Sequence, residues 1–225
     1  MKWRGEILEI LFPGRCLLCG RWLLGASSGG APVCGECLCA LAPIHGQCCE
    51  VCGTPLVSEL KTCTRCRSAD FAFATHRSLF AYAGAARDLI ASLKFEKRSR
   101  LSATFADILA PRILADHAGI PVVPVPGRSP TDAVELISRQ LHARHGIPVL
   151  RLLRRSGGLQ QKTLDLQERR KNLRGKVQLA DGSVPGEVVL FDDIFTTGAT
   201  ADTCARVLMA GGCGKVSVVS IAMEE

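Results

Sequence analysis

A chain of 225 residues, 47% apolar and 22% charged, has the composition of a folded protein with room for one ordinary domain and a small module. That excludes disorder and fibrous repeats, and no apolar run approaches the ~18 residues that a bilayer span needs. The formal net charge of +7 favours anionic partners. The opening MKWRGEILEILFPG is only briefly apolar: Glu6 and Glu9 interrupt it, and no small-residue cleavage site follows. The expectation is a cytoplasmic protein whose twelve cysteines meet a reducing milieu, where metal binding outcompetes disulfides.

Ten of those cysteines fall between Cys16 and Cys66. The split sets a domain boundary near 69–74, with residues 1–70 as a small module and 71–225 as the main domain. The front piece is too short and too poor in large apolar residues to hold itself by burial. Four CxxC pairs appear: Cys16/Cys19, Cys34/Cys37, Cys49/Cys52 and Cys63/Cys66. Two thiolates at this spacing share one tight turn and both reach a tetrahedral Zn²⁺ at roughly 2.3 Å. Gly20 and Gly53 follow their pairs, where a residue tolerant of positive φ closes the turn. Intervals of 14 and 10 residues between first and second, and third and fourth pairs, suit short ribbons returning to the metal. The spacing predicts two consecutive Cys₄ zinc sites. A disulfide framework, a cross-braced pairing of first with third and second with fourth, and an iron–sulfur cluster are the alternatives. Cys39, Cys48 and His45 are spare ligands, read as bystanders because a closed site takes four. Cys204 and Cys213 are read as small apolar residues.

From Phe71 the pattern alternates short apolar runs with amphipathic stretches. Strands are predicted over 78–82, 122–125, 187–191 and 216–221. Helices are predicted over 85–95, 101–114 (kinked or split at Pro111), 133–145 and 200–210, the last stopped by Gly211 and Gly212. Val188, Val189, Leu190 and Phe191 form a continuous apolar run, as expected of a central parallel strand covered on both faces. Strands alternating with helices imply an α/β domain with a doubly wound, mainly parallel sheet, whose ligands sit at the carboxyl ends of the strands.

That apolar run leads into Asp192-Asp193-Ile194-Phe195-Thr196-Thr197-Gly198-Ala199-Thr200. The Thr/Gly loop and the helix it opens offer backbone N–H groups and hydroxyls to an anion. Asp192 and Asp193 would repel a bare phosphate and suit sugar hydroxyls or a Mg²⁺. A sugar phosphate satisfies both halves. The bland readings are solvated loop acids and an ordinary helix cap.

This segment resembles the phosphoribosyl-pyrophosphate (PRPP) motif of type I phosphoribosyltransferases. The chain as a whole resembles the ComF family of competence-associated proteins, double zinc ribbons followed by a phosphoribosyltransferase domain. The supporting residues are Cys16-Leu17-Leu18-Cys19-Gly20, Cys49 with Cys52-Gly53 and Pro55, and Tyr82 through Leu93-Lys94-Phe95. Val123-Pro124-Val125-Pro126, Thr163, Gln167-Glu168-Arg169-Arg170-Lys171-Asn172 and Gly175 continue the match. The resemblance implies that Asp192 and Asp193 hold the ribose hydroxyls of PRPP and serve catalysis. It implies too that Thr196, Thr197, Gly198, Ala199 and Thr200 cradle the 5′-phosphate, that Mg²⁺ accompanies PRPP, and that Arg128 contacts pyrophosphate. Pro126-Gly127-Arg128-Ser129-Pro130-Thr131 is shorter than the family's loop and lacks several of its arginines. A shortened loop leaves the reacting centre open to water and the leaving group with less charge stabilisation, so turnover is left open while binding is expected.

Residues 151–176 carry nine basic side chains against Asp165 and Glu168, which equals the chain's whole net charge. Such a stretch is a solvated surface, a substrate contact or a nucleic-acid contact. No Tyr or Trp falls within it, which argues against a base-stacking platform. Two functions follow: a glycosyltransferase that releases pyrophosphate from PRPP, or a silent competence protein whose ribbons and basic stretch meet single-stranded DNA or a helicase during DNA uptake.

Overall fold

The computed structural model describes residues 14–23, 31–57, 59–93, 98–127, 129, 131–155 and 177–224, with the backbone alone at 98 and 99. In chain order, two short helices, α1 (Gly35–Cys39) and α2 (Thr64–Ser68), precede β1 (Thr75–Ala81), α3 (Gly84–Ser92) and α4 (Arg98–Asp116). There follow β2 (Val122–Pro124), α5 (Ala133–His145), β3 (Leu153–Arg155), β4 (Val177–Leu179), β5 (Glu187–Phe195), α6 (Ala199–Ala210) and β6 (Lys215–Met223). No helix among the described residues is long and apolar enough to cross a membrane.

The four apolar residues from Val188 to Phe191 are fully buried, and only a central strand hides both of its faces. The main sheet runs β1-β6-β5-β2, all neighbours parallel, with Leu190 opposite Val218 on one side and Val123 on the other. Side chains of β5 alternate between two apolar cores. Val189 and Phe191 join Leu89, Phe105, Leu109 and Ile137, drawn from α3, α4 and α5. Val188 and Leu190 join Ala201, Cys204, Ala205 and Leu208 of α6. Helices therefore cover both faces, and each large side chain so buried contributes about 1.5–3 kcal/mol.

The cysteine-rich segment does not stand apart from this body. Cys16, Val33 and Leu41 belong to the first core, whereas Cys49, Cys52 and Cys66 belong to the second. The two ribbons thus close on opposite faces of one sheet. The strap between them, residues 42–44, lies antiparallel along β1: Ile44 N–H donates to Leu79 O (3.0 Å) and Ala81 N–H to Ala42 O (3.1 Å).

Sequence expectation and structure differ in places. The first strand is shifted toward its N-terminus, to Thr75–Ala81, and the predicted 85–95 helix ends at Ser92 within the described residues. The helix containing Pro111 is unbroken over Arg98–Asp116. Packing of α4 against α5 and the buried Leu109, Ala110 and Ile113 outweighs the one missing backbone donor. The antiparallel β3–β4 pair, Leu153 opposite Leu179, carries no clear strand signal because its strands are three residues long. Most consequential is β5: pairing with β6 continues as far as Phe195 opposite Met223, so the strand runs past Phe191 and takes in both acids.

Candidate functional site

Each ribbon is built on the same local bonds. Gly20 N–H donates to Cys16 O (3.0 Å) and Gly53 N–H to Cys49 O (2.9 Å), and both glycines sit at φ +70°, which side chains resist. The second limb returns so that Cys34 N–H reaches Cys16 Sγ and Cys63 N–H reaches Cys49 Sγ, both at 3.4 Å. The sulfurs gather as Cys16/Cys19/Cys34/Cys37 and Cys49/Cys52/Cys63/Cys66, each set within 4.8 Å. The sites are consecutive and not cross-braced. Cys39, Cys48 and His45 lie in neither.

Tetrahedral bonds of about 2.3 Å place thiolates about 3.8 Å apart. Cys19 and Cys34 are separated by 3.8 Å and Cys52 and Cys63 by 3.6 Å, so the donor sets match Zn²⁺ in number, chemistry and spacing. Their acidity says the same. Burial opposes ionisation of Cys16, yet N–H donors from Cys19, Cys34 and Leu18 bring it down to about 6. Burial and the crowding thiols push Cys37 up to about 12. Four sulfurs this close ionise together only when a cation takes up their charge. With all four positions filled by sulfur, these zinc sites are structural.

The second site lies where β2 and β5 end. There a cavity of about 380 Å³ is lined by Asp192, Asp193, Thr200, Asp132, Gly127 and Arg155, among others. Asp192 and Asp193 are partly buried and lean on the backbone: Asp193 N–H donates to Asp192 Oδ1 (2.9 Å), and Ile194 N–H to Asp193 Oδ1 (2.8 Å). Asp192 opens onto the cavity but is otherwise surrounded by protein. Burial and then the Asp193 charge push its acid up to about 8. Behind it the Cys204 thiol is pushed up to about 12, by burial first and the Asp192 charge second.

After Phe195 the chain turns through 196–198 into α6, with Gly198 at φ +81°. A Cβ on Gly198 would stand 2.9 Å from the Phe195 ring, so both conformation and space require glycine. Thr197 Oγ1 accepts from Ala199 N–H at 3.4 Å, and Asp202 N–H closes the first turn on Gly198 O at 2.8 Å. Thr196, Thr197 and Ala199 face solvent, Gly198 is buried, and Thr200 alone of the five lines the cavity. Arg128 lies outside the described residues, as do 156–176 of the basic stretch.

Asp132 and Arg155 were not singled out by the sequence as site residues. Asp132 precedes α5, a position that reads as a helix cap, but its Oδ2 accepts from Ser129 N–H (2.9 Å) in the turn beside the cavity. Gly127 makes room for it: a Cβ there would lie 1.9 Å from Asp132 Oδ2. Arg155 ends β3, within the basic stretch, and only the tertiary fold brings it to the cavity that the acids line.

Fold and sites define a double-zinc protein in which two ribbons clasp a parallel α/β domain with an acidic cavity at its strand ends. A double zinc ribbon family matches residues 7–67. Over 224 residues the chain is 27% identical to the DNA utilization protein YhgH of Escherichia coli O6:H1, covering 92% of this chain and 95% of that one. It is 24% identical over 233 residues to competence protein ComFC of Streptococcus pneumoniae, covering 92% and 99%. By its double zinc ribbon and its likeness to YhgH and ComFC along 92% of its length, the chain is similar to the ComF family. Among solved structures, glutamine PRPP amidotransferase from B. subtilis is 20% identical with a TM-score of 0.38, covering 53% of this chain. The alignment spans about a quarter, 26%, of the amidotransferase chain. Hypoxanthine phosphoribosyltransferase from Trypanosoma cruzi is 19% identical with a TM-score of 0.35, covering 52% and 64%.

Proposed function

We propose that the α/β domain, residues 71–225, binds PRPP with Mg²⁺, and that the ribbons of residues 1–70 support a role for the chain in handling incoming DNA. The observation that carries this reading is the meeting of Asp192, Asp193 and Thr200 at one cavity beside the end of β2. Asp192 and Asp193 are assigned to the ribose hydroxyls. The amides and hydroxyls of Thr196, Thr197, Gly198, Ala199 and Thr200, with the N-terminal end of α6, are assigned to the 5′-phosphate. Three acids, Asp132, Asp192 and Asp193, line the cavity against one described cation, Arg155. Bare pyrophosphate would be repelled there, whereas a ligand carrying Mg²⁺ would meet the acids with its charge offset. Magnesium supplies the positive charge against which pyrophosphate is held. For transfer, loss of pyrophosphate from C1 leaves positive charge on the ribose, and a nearby Asp193 carboxylate stabilises it.

The scarcity of cations among the described lining residues favours a second reading as well, binding without turnover in a cytoplasmic competence protein that meets single-stranded DNA or a helicase. The likeness to a DNA utilization protein and to a competence protein supports the DNA connection.

Calorimetric titration of PRPP with and without Mg²⁺ tests the first claim. Magnesium-dependent binding is expected, weakened about tenfold or more in Asp192→Asn/Asp193→Asn. No heat with wild-type protein would abandon the sugar-phosphate reading. Pyrophosphate release across candidate bases then separates the enzyme from the binder.

A further inference from the structure

The 196–200 loop is held from behind by the second zinc knuckle, along two routes. The first runs through Arg65, which sits between Cys63 and Cys66 in α2. Its Nη1 donates to the Thr196 carbonyl at 3.4 Å, 131 residues away in sequence, while its backbone is fixed by the knuckle on either side. The second runs through His76, buried completely on β1. One ring nitrogen, Nδ1, is 2.7 Å from Cys52 O and the other, Nε2, is 2.8 Å from Ser220 Oγ. The imidazole lies flat on Phe195, with centroids 3.7 Å apart and planes at 10°, and Phe195 in turn is the ring that fills the space beside Gly198.

The two zinc sites are unequal in this respect. Cys49, Cys52 and Cys66 share the apolar core that contains Phe195 and α6, whereas Cys16 packs into the core on the opposite face of the sheet. Donors to a metal-bound thiolate orient it and are oriented by it in return. An arginine that sits between two ligands of the knuckle and holds a loop carbonyl passes the knuckle's orientation on to the loop.

The geometry points to the second zinc knuckle as the brace of the 196–200 loop, with Arg65 and His76 as positioning residues that set the loop's shape. The first zinc knuckle has no part in it. The ligand half of this inference rests on reading that loop as the 5′-phosphate site; the coupling half does not.

The experiment uses the full zinc-loaded chain and its Arg65→Ala and Arg65→Lys variants. Amide hydrogen exchange reads the loop directly, and ribose 5-phosphate titrated by calorimetry reads its competence to hold a monoester. Arg65→Ala is expected to keep two zinc ions per chain and to exchange the 196–200 amides about fivefold faster, the worth of one lost charge-assisted hydrogen bond. Amides around Cys16 and Cys34 are expected to be unchanged, and ribose 5-phosphate to bind about fivefold more weakly. Arg65→Lys, which keeps a charged donor, is expected to recover part of both effects. Unchanged loop exchange in Arg65→Ala would overturn the coupling. Faster exchange with unchanged ribose 5-phosphate affinity would overturn the positioning role. If wild-type protein binds no ribose 5-phosphate, the proposed ligand fails while the exchange data still decide the coupling.

Discussion

Asp192 gives the cavity a pH signature. An unfolded aspartate ionises near pH ~3.9, whereas burial and Asp193 hold this acid up at about 8. Between those values the folded chain keeps a proton that the unfolded chain has lost, so folding weakens as pH rises through the window. Asp192→Asn removes the charge and keeps the shape. It is expected to raise the melting temperature at pH 8 and to leave it close to wild type at pH 4, with about 2–4 °C for each kcal/mol in a chain this size. Equal shifts at both pH values would move the effect to some other cause. That two acids would meet at the strand ends was legible from the buried apolar run that delivers them. The part of Asp132 was not, because a Thr-Asp pair before an amphipathic stretch is what any capped helix presents. Arg155 was hidden for another reason: its neighbours in space, Asp192 and Cys204, are far away in sequence.

Among the elements, the turn from β5 into α6 has the least freedom. Gly198 occupies the left-handed region, and the Phe195 ring fills the space a side chain would need. Gly198→Ala is expected to lower stability in urea by about 1–2 kcal/mol at an unchanged m-value, from the backbone penalty alone. Under the proposed sugar-phosphate reading, loss of ribose 5-phosphate affinity is expected to exceed that, since the loop amides move with the turn. A variant with wild-type stability would show the turn to be less constrained than its geometry implies. Strand and helix identities in this half of the chain were readable from periodicity, as the long β5 and α6 illustrate. Their ends were not. Where β5 stops is decided by how long β6 stays beside it, and α4 passes through Pro111 because its packing rewards continuity. The short β3–β4 pair has too few residues for any period to register.

For the whole molecule, the cysteine spacing announced two metal sites, and the knuckle glycines announced their turns. What spacing does not carry is where the ribbons dock. Because their cysteines belong to both apolar cores, metal loss is a loss to the entire fold and not to a detachable module. Plasma emission analysis is expected to find two zinc ions per chain and one in Cys49→Ser. Chelation is expected to lower the unfolding midpoint of the α/β domain itself, followed by far-ultraviolet dichroism in one cooperative transition. An α/β domain that melts at the same temperature with and without zinc would contradict the shared cores.

The strap of residues 42–44 along β1 has a further consequence. It occupies the outer rim of the parallel sheet, where unpaired peptide groups would otherwise invite a strand from a neighbouring molecule. Both of its ends are tethered by zinc knuckles. A cell short of zinc would therefore face clumping of this protein before outright denaturation, with the bared β1 rim as the seed.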